Sequence, residues 1–159
     1  MNGISVTISP GELIDKLTIL EIKAARITAA EKLRNVHREL ATLTAARDAA
    51  IPASAELHVL ADHLKAVNEK LWQVEDEIRD CERRRDFGPP FIQLARSVYR
   101  HNDRRSLLKR QINTLRTQRA ESEVGLEELA VELGYRTAVE LMRDWNEYRR
   151  LQDESDPVQ

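Results

Sequence analysis

The sequence predicts an all-α protein, a helical bundle built on a long antiparallel helical hairpin. Between residues 55 and 84, apolar side chains recur at alternating steps of three and four over four heptads, which is the spacing of a coiled-coil seam. Aromatic residues make up only 4% of the chain, and glycine and proline number five each. This scarcity of strand-forming and helix-breaking residues favours long helices.

Capping and breaking residues indicate where the individual helices begin and end. Ser9, Pro10 and Glu12 form a helix start, and a second capping pattern at Thr28 predicts a restart. Residues 86–90 read Asp-Phe-Gly-Pro-Pro, a turn that forces the two flanking helices to fold back on each other. We therefore expect helices at about 10–27, 29–48, 55–85 and 90–120.

The two ends of the chain depart from this pattern. Ile4, Val6 and Ile8 alternate with polar residues, which predicts a short extended N-terminal segment that lies along the helices or pairs across a dimer. After Glu121 the apolar spacing predicts a small C-terminal helical pair, interrupted at Gly134. The expected domains are a helical bundle at 1–120, an acidic C-terminal helical hairpin at 121–152 and a frayed tail at 153–159.

Charge and composition exclude several classes of protein. Residues 1–120 carry 21 basic against 16 acidic side chains, whereas residues 121–159 carry 4 against 11, so the C-terminal segment would repel nucleic acid. No apolar run is long enough to span a membrane, and the first residues lack the features of a signal peptide. We therefore expect a soluble, cytoplasmic protein.

No metal and no cofactor are expected from the sequence. Cys81 is the only cysteine, which excludes a cysteine-based metal cluster. Glu12-x-x-Asp15 and Glu77-x-x-Asp80 each supply only half of the paired carboxylate motif with which helical nucleotide pyrophosphatases hold magnesium.

A polar stripe beside the apolar seam is the candidate binding site. Its positions repeat at helical spacing on both long helices, and folding the hairpin about Gly88 brings the two rows together. With one residue of the first helix, the stripe comprises Glu21, Asn68, Trp72, Glu75, Arg79, Glu82, Tyr99, Asn102 and Lys109. Arg79 and Lys109 can hold an anionic group, and Trp72 can stack on a ring. The competing and more common interpretation is a solvated flank of the bundle, in which Glu75 and Arg79 form only an i,i+4 pair.

Two functions from different classes fit these features. The favoured one is a protein-interaction or accessory subunit, because no motif with defined chemistry is present. The alternative is a small-molecule-binding protein or enzyme that uses the polar stripe as a pocket. A remote alternative is a helical ribonuclease, since Arg96 and His101 loosely match an Arg-x4-His spacing. The long seam has few residues to cover it, which predicts a homo-oligomer or a protein partner, with a small anionic ligand as the alternative.

Three stretches of the chain resemble a known family. They read ISPGELIDKLTILEIK from Ile8, NEKLWQVEDEIRDCE from Asn68, and DFGPPFIQLARSVYR from Asp86, the last continuing through Asn102 to Arg105. Over about residues 4–115, the chain resembles a family of small bacterial proteins known as a domain of unknown function. The resemblance implies no activity, substrate or cofactor, and the segment after Glu121 lies outside it.

Overall fold

The computed structural model describes residues 4–155 and shows an all-α protein, as predicted. There is no β-strand in this part of the chain. Its five helices are α1 (Pro10–Arg26), α2 (Ala30–Ala50), α3 (Ala55–Arg84), α4 (Pro89–Glu132) and α5 (Ala138–Ser155). None of them has a stretch of the length and apolarity that crossing a bilayer requires.

The N-terminal segment, residues 4–9, has no regular secondary structure and precedes α1. Ile4 is 92% exposed and Val6 71% exposed, so the alternating apolar residues are not buried against the helices within one chain. Ser9 ends the segment as the N-cap of α1, because its hydroxyl accepts a hydrogen bond from the backbone N–H of Glu12. The segment forms no strand, and its predicted pairing across a dimer stays a prediction.

Side-chain caps start three of the helices. Besides Ser9, the hydroxyl of Ser54 accepts from the N–H of Leu57 at the start of α3, and that of Thr137 accepts from Glu140 before α5. The capping pattern predicted at Thr28 is wrong. The N-cap of α2 is Ala29, which has no side chain that can accept a hydrogen bond, so nothing local caps this helix and its position depends on packing.

The turn between α3 and α4 is tight and is closed by hydrogen bonds. Arg85 adopts the left-handed conformation with φ 56°, and the N–H of Asp86 bonds to the carbonyl of Cys81. The Asp86 carboxylate then accepts from the N–H of Gly88 at 3.2 Å. The turn therefore lies where the sequence predicted it, although the left-handed position is occupied by arginine.

The helix break predicted near residue 120 is absent, and α4 continues to Glu132. The segment between contains no proline, and its single glycine, Gly125, costs a helix only about 1 kcal/mol. The helix stops where Gly134 adopts φ +82°, a conformation that residues with a side chain rarely adopt. Beyond it α5 reaches Ser155, and residues 156–159 of the predicted tail lie outside the described residues.

Contacts divide the chain into two compact units, Met1–Arg116 and Thr117–Gln159. The first unit contains the apolar core, to which α1, α3, α4 and the end of α2 contribute. Its buried members are Leu13, Ile14, Leu17, Ile51, Leu64, Leu108 and Ile112. Burying each such side chain contributes about 2 kcal/mol relative to leaving it exposed, so this cluster supplies much of the stability of the unit.

The helices of the first unit pack with a defined order of residues. Three hydrogen bonds or ion pairs join α1 to α4 in reverse order: Gly11 to Asn113, Glu12 to Lys109, and Asp15 to Arg105. Leu64 and Leu108 share the core, and Asn68 and Arg105 both bond to Asp15. The contacts of α1 with α4 therefore run in antiparallel order, and Asn68 of α3 and Arg105 of α4 meet at Asp15.

Candidate functional site

The centre of the first unit is a buried ion pair between α1 and α4. The Asp15 side chain is fully buried, and the Arg105 side chain retains 27% exposure. Arg105 Nε donates to Asp15 Oδ1 at 2.7 Å, and Arg105 Nη2 donates to Asp15 Oδ2. The guanidinium therefore binds the carboxylate through two parallel hydrogen bonds, the strongest geometry for this pair.

Two further buried side chains complete the hydrogen bonding around Asp15. Asn68 Nδ2 donates to Asp15 Oδ1 and to Thr18 Oγ1, each at 2.9 Å. The Thr18 hydroxyl donates to the backbone carbonyl of Asp15, also at 2.9 Å. No buried side-chain nitrogen or oxygen in the described residues lacks a partner, so the network is fully satisfied.

The surroundings of Asp15 affect its pKa in opposite directions. Burial would raise the pKa, but hydrogen bonds from Arg105 and Asn68, together with the charge of Arg105, lower it by more, so the pKa lies below its ordinary value of 3.8. The hydrogen bond to Asp15 in turn raises the pKa of Arg105. Both groups are therefore ionised at neutral pH.

A pH dependence of stability follows from the lowered pKa of Asp15. A carboxylate whose folded-state pKa is depressed contributes its full stabilisation above about pH 4, and the contribution is lost as pH falls through the folded-state pKa. We expect the difference in unfolding free energy between wild type and Asp15→Asn to be constant from neutral pH to about pH 4 and to shrink below it. Urea unfolding followed by circular dichroism measures this difference. A difference that persists unchanged at about pH 2 would contradict the assignment.

A second pair of contacts holds the start of α1 against α4. Lys109 Nζ donates to Glu12 Oε2 at 2.9 Å, and the backbone N–H of Gly11 donates to Asn113 Oδ1 at 2.7 Å. A Cβ at Gly11 would lie too close to the backbone carbonyl oxygen of Lys109. The two helices therefore approach each other at a distance that only glycine allows.

A cleft of about 210 Å³ opens beside the ion pair, between α1, α3 and α4. Its lining contains three aliphatic side chains, Ile19, Ile22 and Leu71, which we call its floor, together with polar ones. The residues that line it are Ile19, Ile22, Lys23, Asn68, Leu71, Trp72, Glu75, Asn102 and Arg105. The guanidinium of Arg26 lies 5.9 Å from the centre of the Trp72 ring, a cation–π contact. The cleft thus combines the Arg105 guanidinium, which Asp15 fixes, with the Trp72 ring and an apolar floor.

The structure brings together four members of the polar stripe predicted from the sequence. Asn68, Trp72, Glu75 and Asn102 all line the cleft. Of these, Asn68 is buried, Trp72 and Asn102 are half-buried, and Glu75 is exposed. These four residues of the stripe therefore lie together in the cleft of the first unit.

The other five members of the stripe lie outside the cleft. Arg79 forms exposed ion pairs with Glu75 at 3.2 Å and with Asp76 at 2.7 Å. The remaining four lie in separate places: Glu21 pairs with Lys65 at 2.8 Å, Lys109 pairs with Glu12, and Glu82 and Tyr99 are exposed. Exposed pairs such as those of Arg79 contribute about 0–1 kcal/mol each, so they do little to fix the positions of the helices.

The sequence did not place Asp15 or Arg105 in the candidate site. Asp15 was considered only as half of a metal-binding motif, and Arg105 as the end of a stretch that resembles the family. The missed signal is a second buried row on α1, formed by Gly11, Asp15, Thr18 and Ile22 at steps of four, three and four. A helix with two buried rows packs against more than one neighbour, and a buried arginine requires a carboxylate partner.

The residues considered for metal binding and for the ribonuclease alternative do not line the cleft. In residues 4–155 no three His, Cys, Asp or Glu side chains lie close enough together to hold a metal ion. His101 Nδ1 lies 2.7 Å from the carbonyl oxygen of Ser97 in its own helix, and Arg96 is exposed. No hydrogen bond within residues 4–155 joins Arg96 to His101.

The fold and the buried network define a helical-bundle protein with an internal Asp–Arg pair next to a small cleft. The chain belongs to a family of unknown function, DUF6165, whose sequence profile matches residues 4–127. No curated protein and no solved structure matches the chain. The match extends beyond the expected end near residue 115, and it includes α1 to α3 and most of α4. Helix α5 lies outside it.

Proposed function

We propose that the protein is an interaction subunit that docks through its second unit, residues 117–155. One observation carries the proposal: this unit exposes most of its large apolar side chains. Eight of them are between 37% and 76% exposed, namely Val124, Leu126, Leu129, Val131, Leu133, Val139, Met142 and Trp145. Among the side chains described there, Ala130 is the only buried one.

An exposed apolar surface of this kind is unfavourable for a unit that has no binding partner. Two helices without a shared core are marginal in water, because helix formation by itself barely offsets its entropic cost. Each square ångström of apolar surface removed from water contributes about 25 cal/mol. A partner that covers several of these side chains therefore stabilises the unit as well as binding to it.

The charge of the second unit restricts the chemistry of its partner. A groove of about 550 Å³ between the end of α4 and the start of α5 has apolar walls and three glutamates on its border. Its lining comprises Glu123, Val124, Leu126, Glu127, Glu128, Ala138 and Val139. The matching surface is an apolar side chain flanked by basic residues.

A second copy of this chain offers such a surface at the turn between α3 and α4. Arg83, Arg84 and Arg85 are exposed there, beside Phe87 at 51% exposure and Ile92 at 47%. We call residues 83–92 the tip. An aromatic ring flanked by arginines complements an apolar groove bordered by glutamates, so we commit to the tip of a second copy as the occupant.

Self-association of the purified protein tests this proposal. Light scattering coupled to gel filtration should show an oligomer at about 100 μM, and the apparent dissociation constant should rise with salt because the contact is partly ionic. Val139→Glu and Phe87→Glu should each weaken association by at least about tenfold. Val59→Glu is the matched control, since Val59 is also an exposed valine but lies on α3 in the first unit.

Two results would overturn the proposal. A monomer at about 100 μM removes the second copy as the occupant. An oligomer that is equally weakened by Val59→Glu, or unaffected by Val139→Glu and Phe87→Glu, places the contact elsewhere on the molecule. Circular dichroism of each variant separates loss of association from loss of helix.

A further inference from the structure

The cleft in the first unit contains hydrogen-bond donors that have no acceptor among the described residues. Asp15 accepts hydrogen bonds from Nε and Nη2 of Arg105, and Nη1 bonds to no group that the structure describes. Lys23 forms no ion pair, and the side-chain amide of Asn102 and the indole N–H of Trp72 form no hydrogen bond within residues 4–155. The lining of the cleft therefore presents several donors that are free to bind a ligand, beside the acceptor oxygens of Glu75 and Asn102.

Among these donors, Arg105 is already held in position to bind a ligand. A guanidinium carries five N–H groups, and two parallel bonds to one carboxylate leave a second edge, made by Nη1 and the remaining Nη2 hydrogen. That edge matches the geometry of another carboxylate. Asp15 holds the Arg105 side chain in place and is itself held by Asn68. A ligand that binds this edge therefore does not have to immobilise the guanidinium.

The balance of charge around the cleft favours a single negative charge on the ligand. Asp15 neutralises Arg105, and Arg79 is shared between Glu75 at 3.2 Å and Asp76 at 2.7 Å, which leaves one negative charge on that side. Lys23 lines the cleft and Arg26 lies over the Trp72 ring, and neither forms an ion pair with a carboxylate in the described residues, so one positive charge remains in excess. A monoanion compensates this charge, whereas a second negative charge would lie near Glu75 without a partner.

The apolar floor of the cleft and the cleft volume indicate what kind of ligand body fits beside the anionic group. Ile19, Ile22 and Leu71 form an apolar floor, and the half-buried Trp72 borders it. A volume of about 210 Å³ is below the usual range for drug-sized ligands and admits a body of roughly ten non-hydrogen atoms. The body is therefore small and apolar.

We propose that this cleft binds a small organic monocarboxylate with an apolar or aromatic body. The carboxylate lies between Lys23 and the free edge of Arg105, and the body lies on the apolar floor beside Trp72. Asp15 acts as a positioning residue for Arg105. This site lies entirely within the first unit, so it is independent of the docking surface proposed on the second unit.

Nuclear magnetic resonance on the full chain tests the site with benzoate as the probe. The chain has two tryptophans, so its indole N–H region contains two signals, and Trp145→Phe assigns the one from Trp72. Benzoate should shift the Trp72 signal in a saturable manner. Benzamide has nearly the same shape without the charge, and it should cause little shift at equal concentration. Phenyl phosphate should bind more weakly than benzoate because of its additional charge.

A matched pair of variants ties the binding to the cleft. Lys23→Gln should weaken benzoate binding by about tenfold, since a charge-assisted hydrogen bond is lost. Lys16→Gln removes an exposed lysine from the same helix outside the cleft and should leave binding unchanged. No saturable shift of Trp72, an equal response to benzamide, tighter binding of phenyl phosphate, or equal effects of the two variants would overturn the proposal. Neither substitution touches the Asp15 network, so both variants should fold.

Discussion

Replacing Asp15 with asparagine should lower the free energy of unfolding by about 3 kcal/mol, the lower end of the range for breaking a buried ion pair. The substitution preserves the volume of the side chain but leaves the charge of Arg105 without its counterion. The cost lies at the lower end because the Arg105 side chain keeps 27% exposure and can reach some water. In thermal unfolding followed by circular dichroism, this corresponds to a decrease in Tm of roughly 10 °C.

A double-mutant cycle with Arg105→Gln separates the pair from other effects of the substitutions. The double variant should be more stable than the sum of the two single effects predicts, by about 2 kcal/mol, because neither charge is then left unpaired. Glu75→Gln is the control, since Glu75 also pairs with an arginine but on the exposed surface, and it should cost less than about 0.5 kcal/mol. Additive effects at Asp15 and Arg105 would show that the ion pair does not hold α1 to α4.

Gly11→Ala should destabilise the protein even though alanine is the better helix former. The added Cβ would lie too close to the Lys109 carbonyl oxygen and 3.0 Å from Asn113 Oδ1. The backbone of α4 cannot move aside as a flexible side chain can, so the start of α1 must shift away from α4. We expect a net cost of about 2 kcal/mol, which is the overpacking penalty reduced by the gain in helix propensity.

The same substitution at Gly125 should have the opposite sign. Gly125 lies within α4, and a Cβ there meets nothing within 4 Å. Gly125→Ala should therefore stabilise its helix by about 0.5–1 kcal/mol through reduced backbone entropy of the unfolded chain. Thermal unfolding of both variants checks the contrast. Equal changes at Gly11 and Gly125 would mean that α1 and α4 are not in close backbone contact.

Much of the fold could be predicted from local signals. The seam of α3 has an apolar period that only a helix can satisfy, and the caps at Ser9, Ser54 and Thr137 lie where short-range hydrogen bonds determine a helix start. The turn at residues 86–90 follows from the properties of proline and glycine. The break predicted near residue 120 failed because a change in composition was taken for a helix end, although no residue there prevents a helix from continuing.

The candidate site was predictable only in part. Helical spacing places Asn68, Trp72 and Glu75 near one flank of α3, and the turn brings Asn102 towards them. The same spacing extends the stripe to Glu82 and Tyr99, which lie outside the cleft. Periodicity describes a whole face of a helix, but a cleft occupies only the few turns at which a third helix meets that face.

The amino-acid sequence by itself determined the helices, the turn at the tip, the acidic character of the second unit and the presence of a polar stripe, because these depend on neighbours within a few residues of each other. Only the tertiary structure decided that Asp15, 90 residues away from Arg105, is its partner, and that Asn68 and Thr18 complete the network. The physical reason is burial. A carboxylate on an exposed helix face is solvated by water and needs no particular partner. A carboxylate that three packed helices remove from water needs a hydrogen-bond donor for each of its oxygens. Which donors lie within reach depends on how the helices pack.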